Sequence, residues 1–114
     1  MKHCTIHIGR KSFHAKICDT VFSQARGILF SREKAAFFIF KKERKISVHM
    51  FFMFHSLDIL WFDEKMHIVE IKRNLRPFTF YTPKKKALHM LEVPAESTRG
   101  LRVRDTGVRV GIRI

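Results

Sequence analysis

Residues 46–71 read ISVHMFFMFHSLDILWFDEKMHIVEI, and the build of this run decides the fold. Most of its residues are large, β-branched or aromatic, the types that suit a pleated, half-buried surface. The apolar part from Val48 to Phe62 is interrupted by His49, His55 and Asp58, so it falls short of the roughly 18 uninterrupted residues that a membrane span needs. It reads as core strands. One covers Ile46 to Phe54; a second covers Leu57 to Phe62 and turns through Asp63 to Met66 into a third at His67 to Ile71. Side chains alternate along a strand, so Asp58 shares a face with Leu60 and Phe62, opposite Ile59 and Trp61. A carboxylate with such neighbours has to be paired, hydrogen-bonded or functional, because burying it unpartnered is costly or neutralises it.

The same alternation extends outward from this run. Cys4, Ile6 and Ile8 alternate with His3, Thr5 and His7, and Phe13, Ala15 and Ile17 with His14 and Lys16, which predicts two half-buried strands joined around Gly9 to Ser12. That hairpin would set Cys4 opposite Ile17 and turn Cys18 to the other sheet face, so the two cysteines read as buried thiols. Their spacing matches no zinc site. From Thr20 to Phe30 the period changes: Val21, Ala25 and Ile28 share a helical face, Asp19 or Thr20 can cap the start and Gly27 suits an early end, predicting one short helix. Ala36 to Phe40 is expected to pair with Ile46 to Phe54 as a central hairpin across the charged Lys41 to Lys45. Arg73 to Lys86, broken by Pro77 and Pro83, reads as a long loop. A strand follows at Ala87 to Val93, then a helical turn at Ala95 to Arg99 and a last strand from Val108 to Ile114.

About eight short strands with one short helix predict an all-β fold, a small sandwich or barrel; an α+β fold with a larger helical share is the alternative. With 114 residues, 46% of them hydrophobic, the chain is read as one domain, 1–114, able to bury a core without disulfides. The N-terminus carries one early positive charge and no apolar stretch behind it, so no secretory signal is read and the expected location is the cytoplasm. Twenty-three Lys and Arg against ten Asp and Glu give a formal net charge of +13, a field that attracts polyanions.

Two acidic residues stand out. Asp58 and Glu92, the latter in register with Leu88 and Met90, fall on apolar strand faces and are each expected to be held by an arginine or by backbone N–H groups, with Arg26 the nominated partner. They could act as an acid/base pair only if they faced one cavity. His49 and His55 share a face but lie about 20 Å apart on a straight strand, too far for one metal ion. No phosphate-cradling glycine loop, nucleophile elbow or HExxH occurs. The segment Arg76-Pro77-Phe78-Thr79-Phe80-Tyr81-Thr82-Pro83-Lys84-Lys85-Lys86 interleaves aromatics with cations, which base stacking and phosphate contact together require. The plainer reading has Phe78 and Phe80 tucked onto the core.

Several blocks, in order, resemble one family: Arg26-Gly27-Ile28-Leu29-Phe30, Phe37 to Phe40, His49 to Met53 with Leu57-Asp58-Ile59, Val69-Glu70-Ile71, Arg76-Pro77, and Leu91-Glu92-Val93-Pro94-Ala95. The chain from about Val21 to Val110 is similar to domain of unknown function 192. The resemblance implies a compact, mainly β domain of archaea and bacteria with no established enzymatic activity. Where the family carries glycine in two turns, this chain has Met66 and Glu96, and altered turns are expected because a left-handed residue with a side chain costs roughly 1–2 kcal/mol. The combined reading is a non-catalytic small-ligand or interaction module with a pocket near Arg26, Met53, Asp58 and Glu92 and no cofactor. The alternative is a nucleic-acid-binding accessory protein acting through Arg76, Phe78, Tyr81, Lys84, Lys85 and Lys86. Neither reading involves a membrane.

Overall fold

In the computed structural model, residues 2–19, 35–50 and 53–113 are described, the last three as backbone. The predicted helix at Thr20 to Phe30, and Arg26 with it, lies outside them. Among the described residues there are nine strands and no helix: β1 (His3–Ile8), β2 (Lys11–Cys18), β3 (Ala36–Arg44), β4 (Val48–His49), β5 (Leu57–Phe62), β6 (Ile68–Leu75), β7 (Phe80–Tyr81), β8 (Ala87–Pro94) and β9 (Gly107–Arg113). The fold is all-β.

Seven strands make one curled sheet in the order β6-β5-β8-β3-β2-β1-β9, and β4 pairs with β7 in a small second sheet. Among the described residues only β2 and β3 run parallel; the other pairings are antiparallel. The curl brings the ends of the large sheet together over a short stretch. Ile68 N–H donates to the Asp105 carbonyl at 2.8 Å, Arg104 N–H to the Ile68 carbonyl at 2.7 Å, and Gly107 N–H to the Met66 carbonyl at 2.8 Å. The product is a half-barrel. Gly107 suits this seam because a Cβ there would lie 3.2 Å from the Phe62 ring and 3.3 Å from Met66 Cε.

The curled sheet is buried on both faces at its centre. The inner face gathers Ile6, Ile17, Phe37, Leu60, Phe62, Leu91 and Val93. The outer face gathers Phe38, Leu57, Ile59, Trp61 and Met90, covered by Ile46, Val48 and Met50 with Tyr81 at the margin. Every residue of β5 is therefore buried, which explains why the Leu57 to Phe62 run lacks hydrophobic alternation: a strand covered on both sides needs apolar residues at both parities. Trp61 satisfies its indole by donating from Nε1 to the Ile46 carbonyl at 3.0 Å.

Several expectations are corrected. The β5–β6 hairpin forms as read, but among the described residues no hairpin joins the Ala36 and Ile46 segments. Instead β3 sits between β2 and β8, while Val48 and His49 pair with Tyr81 and Phe80. Hydrophobic periodicity fixes which face a residue takes, not which strand lies beside it. The supposed loop Arg73 to Lys86 contributes the end of β6 and all of β7, and Ala95 to Gly100 is a succession of turns. The first hairpin is tighter than read, with Cys4 opposite Ala15. The shift is by two residues, so the face assignment survives: Cys4 lies in the inner cluster and Cys18 in the outer, and neither is disulfide-bonded.

The two turns lacking the family's glycine keep their left-handed residues after all, with φ 64° at Met66 and 72° at Glu96. Asp63 supplies the reason at the first. Its Oδ1 accepts from the N–H groups of Lys65 and His67, both at 2.9 Å, and the Met66 N–H donates to its carbonyl at 3.0 Å. Glu96 is exposed and offers a clean test of the strain. Glu96→Gly is expected to raise the urea midpoint by the equivalent of about 0.5–1 kcal/mol, the left-handed cost less the extra entropy glycine loses on folding. A lowered midpoint would contradict strain at this position.

Candidate functional site

The β5–β8 register decides the question of the two acids. Asp58 pairs with Val93, and Glu92 with Ile59. Cross-strand partners share a face, so Asp58 goes with the inner cluster and Glu92 with the outer one. They cannot serve one reacting bond. Of the other two residues of the expected pocket, Met53 is buried in the outer cluster and Arg26 lies outside the described residues.

Asp58 is fully buried and both of its oxygens accept hydrogen bonds. Oδ1 accepts from Asn74 N–H at 2.8 Å; Oδ2 accepts from Thr98 N–H at 3.2 Å and from Thr98 Oγ1 at 2.7 Å. Asn74 is itself left-handed, φ 54°, which aims its N–H inward. Asp58 thereby ties the end of β6 to the turns after β8, beneath an open groove of about 530 Å³ that Arg73, Arg99 and Arg102 also line. Glu92 is held differently. Registers place Lys16, Ala36, Glu92 and Ile59 in one row across four strands; Lys16 is 4% and Glu92 8% exposed. Burial pushes the Glu92 carboxyl up to about 7, against the opposing pull of the Lys16 ammonium. Burial likewise drives the Cys18 thiol up to about 12, so it is no nucleophile near neutrality.

In the aromatic and basic segment large apolar side chains meet solvent, as Val103, Val108 and Val110 also do elsewhere. Antiparallel pairing of Phe80 with His49 and Tyr81 with Val48 turns Tyr81 and Val48 inward and leaves Phe80 on the outer face of the small sheet. Phe80 is 64% exposed, Phe78 52% and Phe54 81%; the Phe54 and Phe78 rings meet edge to face at 5.6 Å. The expectation that Phe78 and Phe80 tuck onto the core is overturned: each two-residue strand turns one position inward, and Val48 and Tyr81 take these. Phe78 is moreover left-handed, φ 60°, its N–H donating to the Met50 carbonyl at 2.7 Å. Arg76, Lys84, Lys85 and Lys86 are all exposed.

Tyr81 does a different job from its aromatic neighbours. Its hydroxyl donates to Glu70 Oε2 at 2.6 Å, a bond that raises its pKa, with burial and the Glu70 charge adding to the effect. Its ring lies 5.6 Å from Trp61. Glu70 Oε1 also accepts from the N–H groups of Lys84 at 2.8 Å and Lys85 at 2.9 Å, so one carboxylate shapes the lysine turn and projects its side chains outward. Sequence reasoning missed three residues here. Phe54 was hidden in an apolar run that reads as strand, while Glu70 bonds to residues at least 11 positions away and Thr98 to Asp58, 40 positions away, pairings that carry no local signature.

Comparison with known proteins follows the fold. Residues 4–112 match the sequence model of a family described as uncharacterized ACR. The UPF0127 protein of Thermococcus sibiricus is 39% identical over 83 residues, covering 69% of this chain and 53% of that protein. The UPF0127 protein of Pyrococcus horikoshii is 33% identical over 90 residues, covering 76% and 74%. The chain thus spans about half the length of the first of these relatives. Among solved structures, a Sinorhizobium meliloti chain described as a candidate transcription regulator superposes with a TM-score of 0.85 at 16% identity, covering 96% of this chain and 94% of that one. A Novosphingobium aromaticivorans protein of unknown function gives 0.78 at 17% identity, covering 93% and 83%. At such identities the likeness is one of fold.

Proposed function

The chain belongs to the family of domain of unknown function 192, and we propose that it uses this fold as a non-catalytic binding domain for single-stranded nucleic acid, taken on the outer face of the β4–β7 sheet. The observation that carries the reading is the exposure of Phe54, Phe78 and Phe80 together beside Arg76 and the Lys84 to Lys86 turn. An exposed phenylalanine contributes little to folding, and Phe78 is in addition held in a backbone conformation that its side chain disfavours. Strain and exposed apolar surface at one place point to binding. Every base offers a π-face to an aromatic ring, and lysines neutralise the phosphates between; the net charge of +13 makes an anionic partner the complementary one. The small-ligand reading has less support, since Asp58 and Glu92 lie on opposite faces and the bonds of Asp58 are already made.

The test is fluorescence anisotropy with a labelled oligothymidine at low salt. Phe78→Ala and Phe80→Ala are each expected to weaken binding at least about fivefold, the lower end of what one stacked base contributes. Lys84, Lys85 and Lys86 all changed to Ala should flatten the salt dependence, because each neutralised phosphate steepens it. Inorganic polyphosphate, which has charge and no bases, should respond to the lysine variant and not to the phenylalanine ones. Absence of binding by the intact chain, or indifference to both aromatic changes, overturns the reading.

A further inference from the structure

We infer that the phosphodiester backbone of this ligand leaves the aromatic face at the lysine turn and continues along a basic trough beside β6, ending at Arg99; this rests on the nucleic-acid reading above. The trough is made of contiguous open grooves. One of about 540 Å³ runs from Lys84 and Lys85 past Glu70 to Arg73 and Arg102. Arg73, Leu101 and Arg102 also line the groove of about 530 Å³ that reaches Arg99, so the two join. Lys85 opens into a third, of about 520 Å³, beside Arg104.

Charge is arranged unevenly along this path. Three of its four carboxylates are turned to the protein: Glu70 accepts three hydrogen bonds, Asp58 three, and Asp63 two from backbone N–H groups, with the His67 ring 3.5 Å away. Glu96 lies 3.9 Å from Arg99, with both side chains open to water. The cations face out. Arg73, Arg99, Arg102 and Arg104 are exposed, and Arg73 is held in place by donating to the Thr98 and Leu101 carbonyls. Guanidinium groups spaced along an open channel suit a chain of phosphates. A compact apolar ligand would need an enclosed pocket instead.

The experiment is the salt dependence of oligothymidine binding by anisotropy, with the Arg99→Ala/Arg102→Ala double variant, the corresponding double Lys variant and the triple lysine-to-alanine variant run beside the intact chain. For two lost phosphate contacts the slope of log K against log salt should become shallower by about 1.4, and the Arg99→Lys/Arg102→Lys variant, which keeps the charges, should restore it. If the intact chain binds and the triple lysine variant flattens the slope while Arg99→Ala/Arg102→Ala leaves it unchanged, the nucleic-acid reading stands and the trough is refuted. A lysine pair that behaves like the alanine pair also refutes it, since the effect would then be structural. If the intact chain does not bind, both proposals fall.

Discussion

Asp58→Ala is expected to remove about 3–5 kcal/mol of folding stability, the cost of stripping one partner from a buried, charge-assisted hydrogen-bond set. The substitution leaves the Asn74 and Thr98 N–H groups and the Thr98 hydroxyl, all now donating to Asp58, without their acceptor beneath the groove. It also unties β6 from the turns after β8, which lie 16 and 40 residues from Asp58 along the chain. Thr98→Val, which removes only the hydroxyl donor from a fully buried side chain, is expected to cost less, about 1–2 kcal/mol. Because the two residues touch, the double variant should fall short of the summed losses by at least about 0.5 kcal/mol. Urea denaturation of the four proteins gives the cycle. A loss below about 1 kcal/mol for Asp58→Ala, or strict additivity, would mean that this carboxylate does not hold the fold together and would reopen a role for it in the groove above.

That carboxylate also marks how far the sequence was readable. Its burial, its face and its need for donors follow from Leu57, Ile59, Leu60 and Trp61 around it. Its partners do not follow, because two of the three donors are backbone N–H groups placed by a left-handed Asn74 and by the turns at Ala95 to Gly100, and a backbone N–H is present at every position except proline. The same limit appears at β3. Phe37 and Phe38 announce a buried strand, but whether it lies beside β2 or beside the Ile46 segment is settled by contacts distant in sequence. At Met66 intrinsic preference pointed away from the left-handed turn that forms, and the Asp63 side chain overrode it by satisfying two of the turn's N–H groups. On the small sheet, two-residue strands were too short for alternation to reveal that Tyr81 turns in and Phe80 turns out.

Glu92→Gln is expected to abolish most of a pH dependence that the native chain should show between about pH 4.5 and 7. Burial raises the folded-state pKa of Glu92 to about 7 from the ordinary 4.5, so within that window the folded chain binds more protons than the unfolded one. Stability contributed by this group is then fully present below about pH 4.5 and falls as pH rises, reaching a deficit of about 3 kcal/mol above pH 7. His89, whose pKa is lowered chiefly by burial, contributes with the opposite sign over an overlapping range, so the comparison with Glu92→Gln, not the native curve alone, isolates the carboxylate. Lys16 supplies the second half of the argument. Only the small Ala36 stands between it and Glu92 in their cross-strand row, and its ammonium partly offsets the desolvation of the carboxylate. Lys16→Met should therefore push the Glu92 carboxyl higher still and enlarge the deficit at pH 8, while Lys16→Met combined with Glu92→Gln should show neither. Unfolding free energies at pH 5 and pH 8 for these four proteins decide it. A native chain and a Glu92→Gln variant that lose the same stability between the two pH values would show that Glu92 is ionised in both the folded and unfolded states throughout.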